Sequence, residues 1–440
     1  MILITNVTTV QFYPPKVMEQ VDIVIDNDCI KEVGYKAADK YKDLADKVIN
    51  GNGCAIFPGL VCSHNHYYSC LSRGILSEIG PTADFISILK NLWWRLDKAL
   101  DDESIYYSAL IGAIEAIKCG TTATIDHHSS PKFIEGSLDV IRKAFETAGI
   151  RGMTCYEVTN RNAGMAEINA GIEENIRYIK QIEDDKDSGK WSGISEAAVG
   201  AHAPFTIPDE GLILLKDAIV KTERGIHIHV AEDRYDASHS HDIYNRDVMQ
   251  RLNDFGLINH KSILVHGVYL SKHELELINS QDAFLIHNAR SNMNNNVGYN
   301  RYLPIVKNIA IGTDGIGSDM FEELKFAYFK CKDTGFSPEM NDYLGLMFNG
   351  NTILERYYQR TFGKIEKGYA ADLTMIDYKP PTPLVNENIA GHMLFGISSK
   401  DVKTVIINGN IVMEDRKFPF DITGIYAESK RIARKLWDKI

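Results

Sequence analysis

Four apolar, β-prone runs in this chain each give way to a histidine or a carboxylate: AIFPGLVCSHNH, GIHIHVAE, SILVHGV and IAIGTDG. They put His64 and His66, then His229 followed by Glu232, then His266, then Asp314 at the ends of predicted strands. Scattered histidines are common, but a repeated placement at strand ends is not. In a parallel α/β barrel the C-terminal strand ends converge on one mouth, where the chemistry sits. Three imidazoles and one carboxylate there make a site for one divalent metal with a position left for water. The pattern predicts a metal-dependent hydrolase.

The segments between these runs fit such a barrel. TTATIDH, RGMTCYEV, EAAVGAHAP, GIHIHVAE, SILVHGV, AFLIHNARS and IAIGTDG alternate with helical stretches such as FIEGSLDVIRKAFETAG, Met165–Asp185 and DEGLILLKDAIVKTERG. Strand–helix alternation implies parallel βαβ units, and eight of them close a (β/α)8 TIM barrel. Glycines in AGIRG and ERGIH fall just after helices, where a left-handed cap needs them. Residues 1–57 read instead as short strands without a helical period, and DLTMIDY and VKTVIINGNIVMED repeat that texture at the far end. Asn408-Gly409 between two β-branched runs predicts a hairpin turn. Neither end is large enough to bury a core alone. The expected division is therefore a barrel over 58–370, with 1–57 and 371–440 joining in a small β-sandwich, the latter piece carrying a C-terminal helix.

At 440 residues, 44% hydrophobic and 24% charged, the chain has globular composition and room for one large and one smaller unit. A net charge of −11 with no Lys/Arg block argues against a nucleic-acid partner. No apolar stretch approaches the ~20 residues that cross a bilayer. MILITNVTTVQF lacks the basic region and cleavage site of a signal peptide. Seven cysteines without a CxxC pair suit a reduced cytoplasmic protein.

His64 and His66 lie two apart on a strand, so they share one side and can hold one ion, with Asn65 pointing away. His229 closes its run, and His227, two before it, is expected to pack beneath as a supporting residue. Glu232 sits one step into the loop, where a carboxylate can carry protons between water and leaving group; the competing reading is a solvated loop acid, which applies equally to Asp233. His266 and Asp314 are each followed by glycine. A buried Asp often caps a helix, but one beside a metal can both ligate and take a proton from water.

FPGLVCSHNH, HVAE, LVHG, HNARSN and GTDG together resemble the motifs of the amidohydrolase superfamily. The similarity is greatest to the branch holding cytosine, guanine and S-adenosylhomocysteine deaminases and triazine chlorohydrolases. Within it, SHNHYYSCLSRGI, TIDHHSSP and HNARSNMNNNVGY resemble the SsnA-type aminohydrolases. The resemblance covers essentially the whole chain. It implies His64, His66, His229 and Asp314 as ligands of one divalent ion, zinc before iron. It also implies Glu232 as proton shuttle, His266 as partner of the attacking water, and a homodimer. Two-metal members carry a carboxylated lysine at the fourth strand, where this chain has EAAVGAHAPF and His202, so one metal is expected. His202 matches a substrate-contacting histidine of related deaminases. The segments Ser291–Gly298 and Ser318-Asp319-Met320 depart from the SNLKLxxG and SNN of relatives, and are expected at the pocket rim.

The strand-end loops are then expected to build the substrate pocket. The first loop, Tyr67 to Trp94, offers Arg73, Trp93 and Trp94, and the third-strand loop offers Tyr156, Glu157 and Arg161. His128 ends the second strand and either faces the pocket or packs. Arg, Glu, Asn and His favour a polar, oxo- and amino-substituted ring, which suggests deamination of a purine- or pyrimidine-like compound. The alternatives on the same site are ring opening, dehalogenation, or a silent binding role, which would predict a missing ligand.

Overall fold

The computed structural model describes residues 1–76, 78–81 and 84–440. Strands Ile2–Phe12, Pro15–Asp26, Cys29–Gly34, Lys47–Asn50 and Ala55–Pro58 come from the first part of the chain, and Leu373–Ile376, Val402–Ile407 and Asn410–Met413 from the last. All eight join one sheet. The joint is the antiparallel pairing of Ala55–Pro58 with Leu373–Ile376, in which Phe57 faces Thr374. Asn408 and Gly409 both adopt positive φ, 52° and 73°, as the two-residue hairpin between the last two strands requires. One feature departs from the all-strand expectation. A five-residue helix, Ala37–Tyr41, packs Ala37 and Tyr41 on Leu3 and Val24, and it is too short to leave a helical period in the sequence.

The middle of the chain forms two parallel sheets. Leu60–Asn65, Thr121–His128, Arg151–Tyr156 and Ser195–Ala197 make the first; Val199–Ala201, Ile226–Val230, Ile263–His266, Phe284–His287 and Ile309–Ile311 make the second. They approach each other at both edges. Ser195–Ala197 leads into Val199–Ala201 with only Ala198 between, and Val158 bridges to Ala201. At the other edge Asn65 bridges to Asp314, and the His64 carbonyl accepts from Thr313 N at 2.9 Å and Asp314 N at 3.1 Å. Val61, Ala123, Met153, Ala198, Val265, Ile286 and Ala310, drawn from both sheets, belong to one buried apolar cluster. Such strands are buried on both faces because helices cover the outside.

The helix Ser137–Ala148 ends on Gly149 with φ 79°, the left-handed cap expected there. After Asp209–Thr222 the cap is Glu223 at φ 54°, not the glycine. Gly225 serves a different need, since a Cβ there would come within 2.2 Å of the Lys261 backbone. No described helix is long and apolar enough to cross a membrane.

One buried ion pair ties the terminal sheet to the parallel strands. Arg151, fully buried, donates to both carboxylate oxygens of Asp372 at 2.7 and 2.9 Å, and stacks over Tyr358 and Phe362. Asp372 also accepts from Asn408 N at 2.7 Å, so one carboxylate holds both the arginine and the hairpin. Removing one partner leaves a buried charge unpaired, which typically costs about 3–5 kcal/mol. Asp372→Ala is therefore expected to lower stability by about that much in urea unfolding, and an Arg151→Met/Asp372→Leu double variant to recover part of it. A single variant within about 0.5 kcal/mol of the native protein would refute this role.

Candidate metal centre

The strand-end residues meet at one point. The Nε2 atoms of His66 and His229 lie 3.2 Å apart, and those of His229 and His64 3.3 Å apart. Asp314 Oδ1 stands 3.1 Å from His66 Nε2 and 3.6 Å from His64 Nε2. A tetrahedral ion with ligands at about 2.0–2.1 Å separates its ligand atoms by roughly 3.3 Å. The observed separations cluster around that edge length, so the donor set fits one divalent ion. His64, His229, His266 and Asp314 form a second overlapping group within metal-holding distance, as do His64, His66, His127 and His229.

Each of the three imidazoles is oriented from behind. His66 Nδ1 donates to the His127 carbonyl at 2.7 Å and His229 Nδ1 to the His202 carbonyl at 2.9 Å. His64 Nδ1 pairs with His227 Nε2 at 2.8 Å, the supporting role expected of His227. With Nδ1 so engaged, the Nε2 lone pairs point at the common centre. Burial pushes the pKa of His64 down to about 3 and that of His229 well below its ordinary value, which keeps both neutral and able to ligate. Burial also opposes a charge on His66, yet its hydrogen bond to Asp314 raises it to about 9. Asp314, despite burial, is held well below the usual carboxylate range by His64 and His66.

Backbone strain helps aim the groups. His266 and Asp314 take φ of 72° and 52°, and Ala231, between His229 and Glu232, takes 46°. Non-glycine residues adopt this region rarely, and mostly where surrounding structure imposes it. His266 Nδ1 donates to Asn292 Oδ1 at 2.8 Å, leaving Nε2 facing Glu232 at 3.4 Å and Asp314 Oδ2 at 3.9 Å. Burial raises the Glu232 pKa to about 7, and Asn295 donates to its Oε1 at 3.3 Å. Ser291 Oγ donates to Asp314 Oδ2. Asn65 points away, as expected, donating to Thr313 Oγ1 at 2.9 Å. Asp233 caps the next helix through Tyr235 N at 2.9 Å.

The centre opens into a cavity of about 460 Å³, walled by Phe85, Leu89, Trp93 and Phe205 above, and by Glu157 and His202 beside His229. Of the residues expected to contact substrate, Trp93, Glu157 and His202 line it. Arg73 reaches only its rim, with a side chain 67% exposed and both guanidinium ends held by Glu115 at 3.0 and 2.7 Å. Three others lie off the described lining. Tyr156 is fully buried against Gly171 of the helix Met165–Asp187, because its side chain leaves the strand on the outer face. His128 is fully buried and pairs with Ser130 Oγ at 2.9 Å. Arg161 lies behind the wall, bound to Asp97 at 3.0 Å and stacked on Trp94. The first loop also contains residues 77, 82 and 83, which lie outside the described residues.

The rim expectation for the two divergent segments divides. Ser291, Asn294 and Asn295 do line the cavity. Asp319 instead caps the helix Met320–Asp333 and Met320 is fully buried, since the chain has already turned outward there. Sequence reasoning missed Asn292, Asn295 and Ser291 as supports for His266, Glu232 and Asp314, although the asparagine-rich run was visible. It also missed Gly312, where a Cβ would fall 2.7 Å from His64 N and 2.6 Å from Asn288 Oδ1. Gly312→Ala is expected to displace His64 and cost about 1–3 kcal/mol, read as a lower urea midpoint; an unchanged midpoint would disprove that tight approach.

Comparison with known proteins shows the fold and the family. A 5-methylthioadenosine/S-adenosylhomocysteine deaminase of Thermococcus sibiricus is 29% identical over 408 residues, covering 89% of each chain. The crystal structure of an adenosine deaminase from Xanthomonas campestris with bound zinc superposes with a TM-score of 0.84 at 21% identity, over 100% of this chain and 99% of that one. An atrazine chlorohydrolase from Arthrobacter aurescens complexed with zinc gives 0.83 at 20% identity, over 98% and 100%. These likenesses carry the fold, which is TIM-barrel-like α/β. The model of the amidohydrolase family matches residues 55–412, and the chain belongs to that family.

Proposed function

We propose that this protein is a metal-dependent aminohydrolase that removes ammonia from a small amino-substituted nitrogen heterocycle, purine-like before pyrimidine-like. The observation that carries the reading is the convergence of three neutral-capable imidazole nitrogens and Asp314, with Glu232 and His266 on the open side. The deaminase names of the relatives support the same reaction class. We assign His64, His66, His229 and Asp314 as the ligands of one divalent ion, zinc by preference. In this reading the two parallel sheets are halves of one (β/α)8 barrel over 58–370, and 1–57 with 371–440 form the flanking β-sandwich. Support comes from the bridges at both sheet edges and the pairing of the two chain ends. Seven unpaired thiols favour a cytoplasmic location.

A divalent ion held there supplies Lewis acidity, enough to bring the pKa of water to roughly 7. The protein's own groups manage the protons. Asp314 Oδ2, steadied by Ser291, accepts a proton from the attacking water. Water oxygen adds to the electron-poor carbon of the substrate C=N bond, and the ring nitrogen takes its proton from Glu232, whose raised pKa of about 7 suits donation near neutrality. His266 Nε2 faces the position where charge develops on the substrate. The amino group then takes the proton held by Asp314 and leaves as ammonia as the C–N bond breaks, while the new hydroxyl returns its proton to Glu232 and becomes a ring carbonyl.

Glu232→Gln is expected to lower kcat by about 10²–10⁴-fold with metal content unchanged, measured by ammonia release and elemental analysis. Retained turnover would remove Glu232 from the role. Stripping the metal with a chelator should abolish turnover and lower the melting temperature, and zinc should restore both. A panel of aminopurines, aminopyrimidines, chlorotriazines and cyclic amides, scored for ammonia, chloride and ring opening, tests the reaction class. Chloride release or ring opening without ammonia would overturn deamination.

A further inference from the structure

The cavity lining is strongly unbalanced in charge. Glu157, Glu232, Asp233, Asp236 and Asp314 face it or its rim, against a single guanidinium among the described residues, that of Arg73, which is held outward by Glu115. A divalent ion in the centre would be offset in part by Asp314, while Glu232, as the proton donor, enters the reaction uncharged. Asp233 and Asp236 are committed to backbone amides, Tyr235 N at 2.9 Å and Ala231 N at 2.6 Å. Glu157 is different. It is 3% exposed, and its Oε1 lies 3.5 Å from His202 Nε2 and 3.9 Å from His229 Nδ1. Its buried Oε2 has no hydrogen-bond partner among the described residues. The nearby guanidinium, Arg161, is neutralised by Asp97 and is engaged with Thr159 Oγ1 at 3.1 Å. A buried carboxylate oxygen left unpaired is costly, and a ligand donor is a natural partner for it.

We propose that Glu157 is a specificity-determining residue that receives an N–H or ammonium donor of the substrate, so that the pocket selects neutral or cationic amino-heterocycles and rejects those bearing a carboxylate or phosphate. The proposal rests on the aminohydrolase reading and narrows its substrate class. No described cation in the cavity is free to meet an acid group, and like charges brought together in a desolvated site cost several kcal/mol. Of the two compounds in one relative's name, the proposal admits the neutral 5-methylthioadenosine and disfavours the carboxylate-bearing S-adenosylhomocysteine.

The test compares a matched triplet: 5′-deoxyadenosine, its 5′-amino derivative and adenosine-5′-carboxylic acid. Binding to the zinc-loaded Glu232→Gln protein is measured by calorimetry, so that turnover does not intrude. The ammonium compound is expected to bind at least about tenfold more tightly than the carboxylate. Adding Glu157→Gln, an isosteric change whose fold is checked by circular dichroism and melting, should shrink that ratio by at least about threefold. An ammonium compound that does not bind, a carboxylate that binds as well, or a ratio unaffected by Glu157→Gln overturns the assignment. Failure of the native protein to release ammonia from any heterocycle would count against the aminohydrolase reading instead, and the charge preference in binding would still be measured.

Discussion

The site depends on one constraint: three imidazoles must present unprotonated Nε2 atoms to a common point inside the protein. Nothing about a histidine does this by itself, since either ring nitrogen can carry the proton. Here each Nδ1 is engaged from behind, twice by a backbone carbonyl and once by another histidine. Burial then makes the charged form of His64 and His229 unfavourable. Parallel strands give the arrangement its precision, because their carbonyls are fixed by the ladder and their ends lie side by side. His66 reads its orientation from the adjacent strand through His127, and His229 reads its own from the strand before it through His202.

The same economy extends outward. Asp314 is held where it is because Asp314 N and Thr313 N bond to the His64 carbonyl, so the last strand of one sheet is registered against the first strand of the other. Gly312 permits that approach, and the strained φ of Asp314 is the local consequence. On the opposite flank the short asparagine-rich helix Ala289–Asn294 and its cap Asn295, after Phe284–His287, supply the groups that steady His266 and Glu232. Amide side chains suit this work, since they offer a donor and an acceptor without adding charge beside an acid whose pKa is already raised.

How much of this was legible depended on the kind of signal. Ligand candidates were visible because a strand run ending in His or Asp marks both an element and its functional end. The joining of the chain ends was visible because neither could bury its apolar face alone. Substrate contacts were not. Tyr156, His128 and Arg161 sit within a residue or a loop of the mouth, yet alternation along a strand sends neighbours to opposite faces, and partners distant in sequence claim the rest. Arg161 is claimed by Asp97 and Arg73 by Glu115, pairings that no local pattern announces. The cap after Asp209–Thr222 falls on Glu223 and not on the glycine for a related reason: Gly225 serves a close approach to Lys261.

By itself the sequence determined the chemistry of the candidate donor set, three imidazoles with one carboxylate and a second acid, Glu232, beside it, and the order of strands that carries them. Residue type and period-two alternation fix those locally. Only the tertiary structure decided which nitrogen of each ring faces inward, that Glu157 keeps a buried oxygen without a partner among the described residues while Arg161 is paired with Asp97, and which loop residues line the cavity. Those outcomes depend on packing between segments far apart in the chain, where burial and hydrogen-bond competition are settled together.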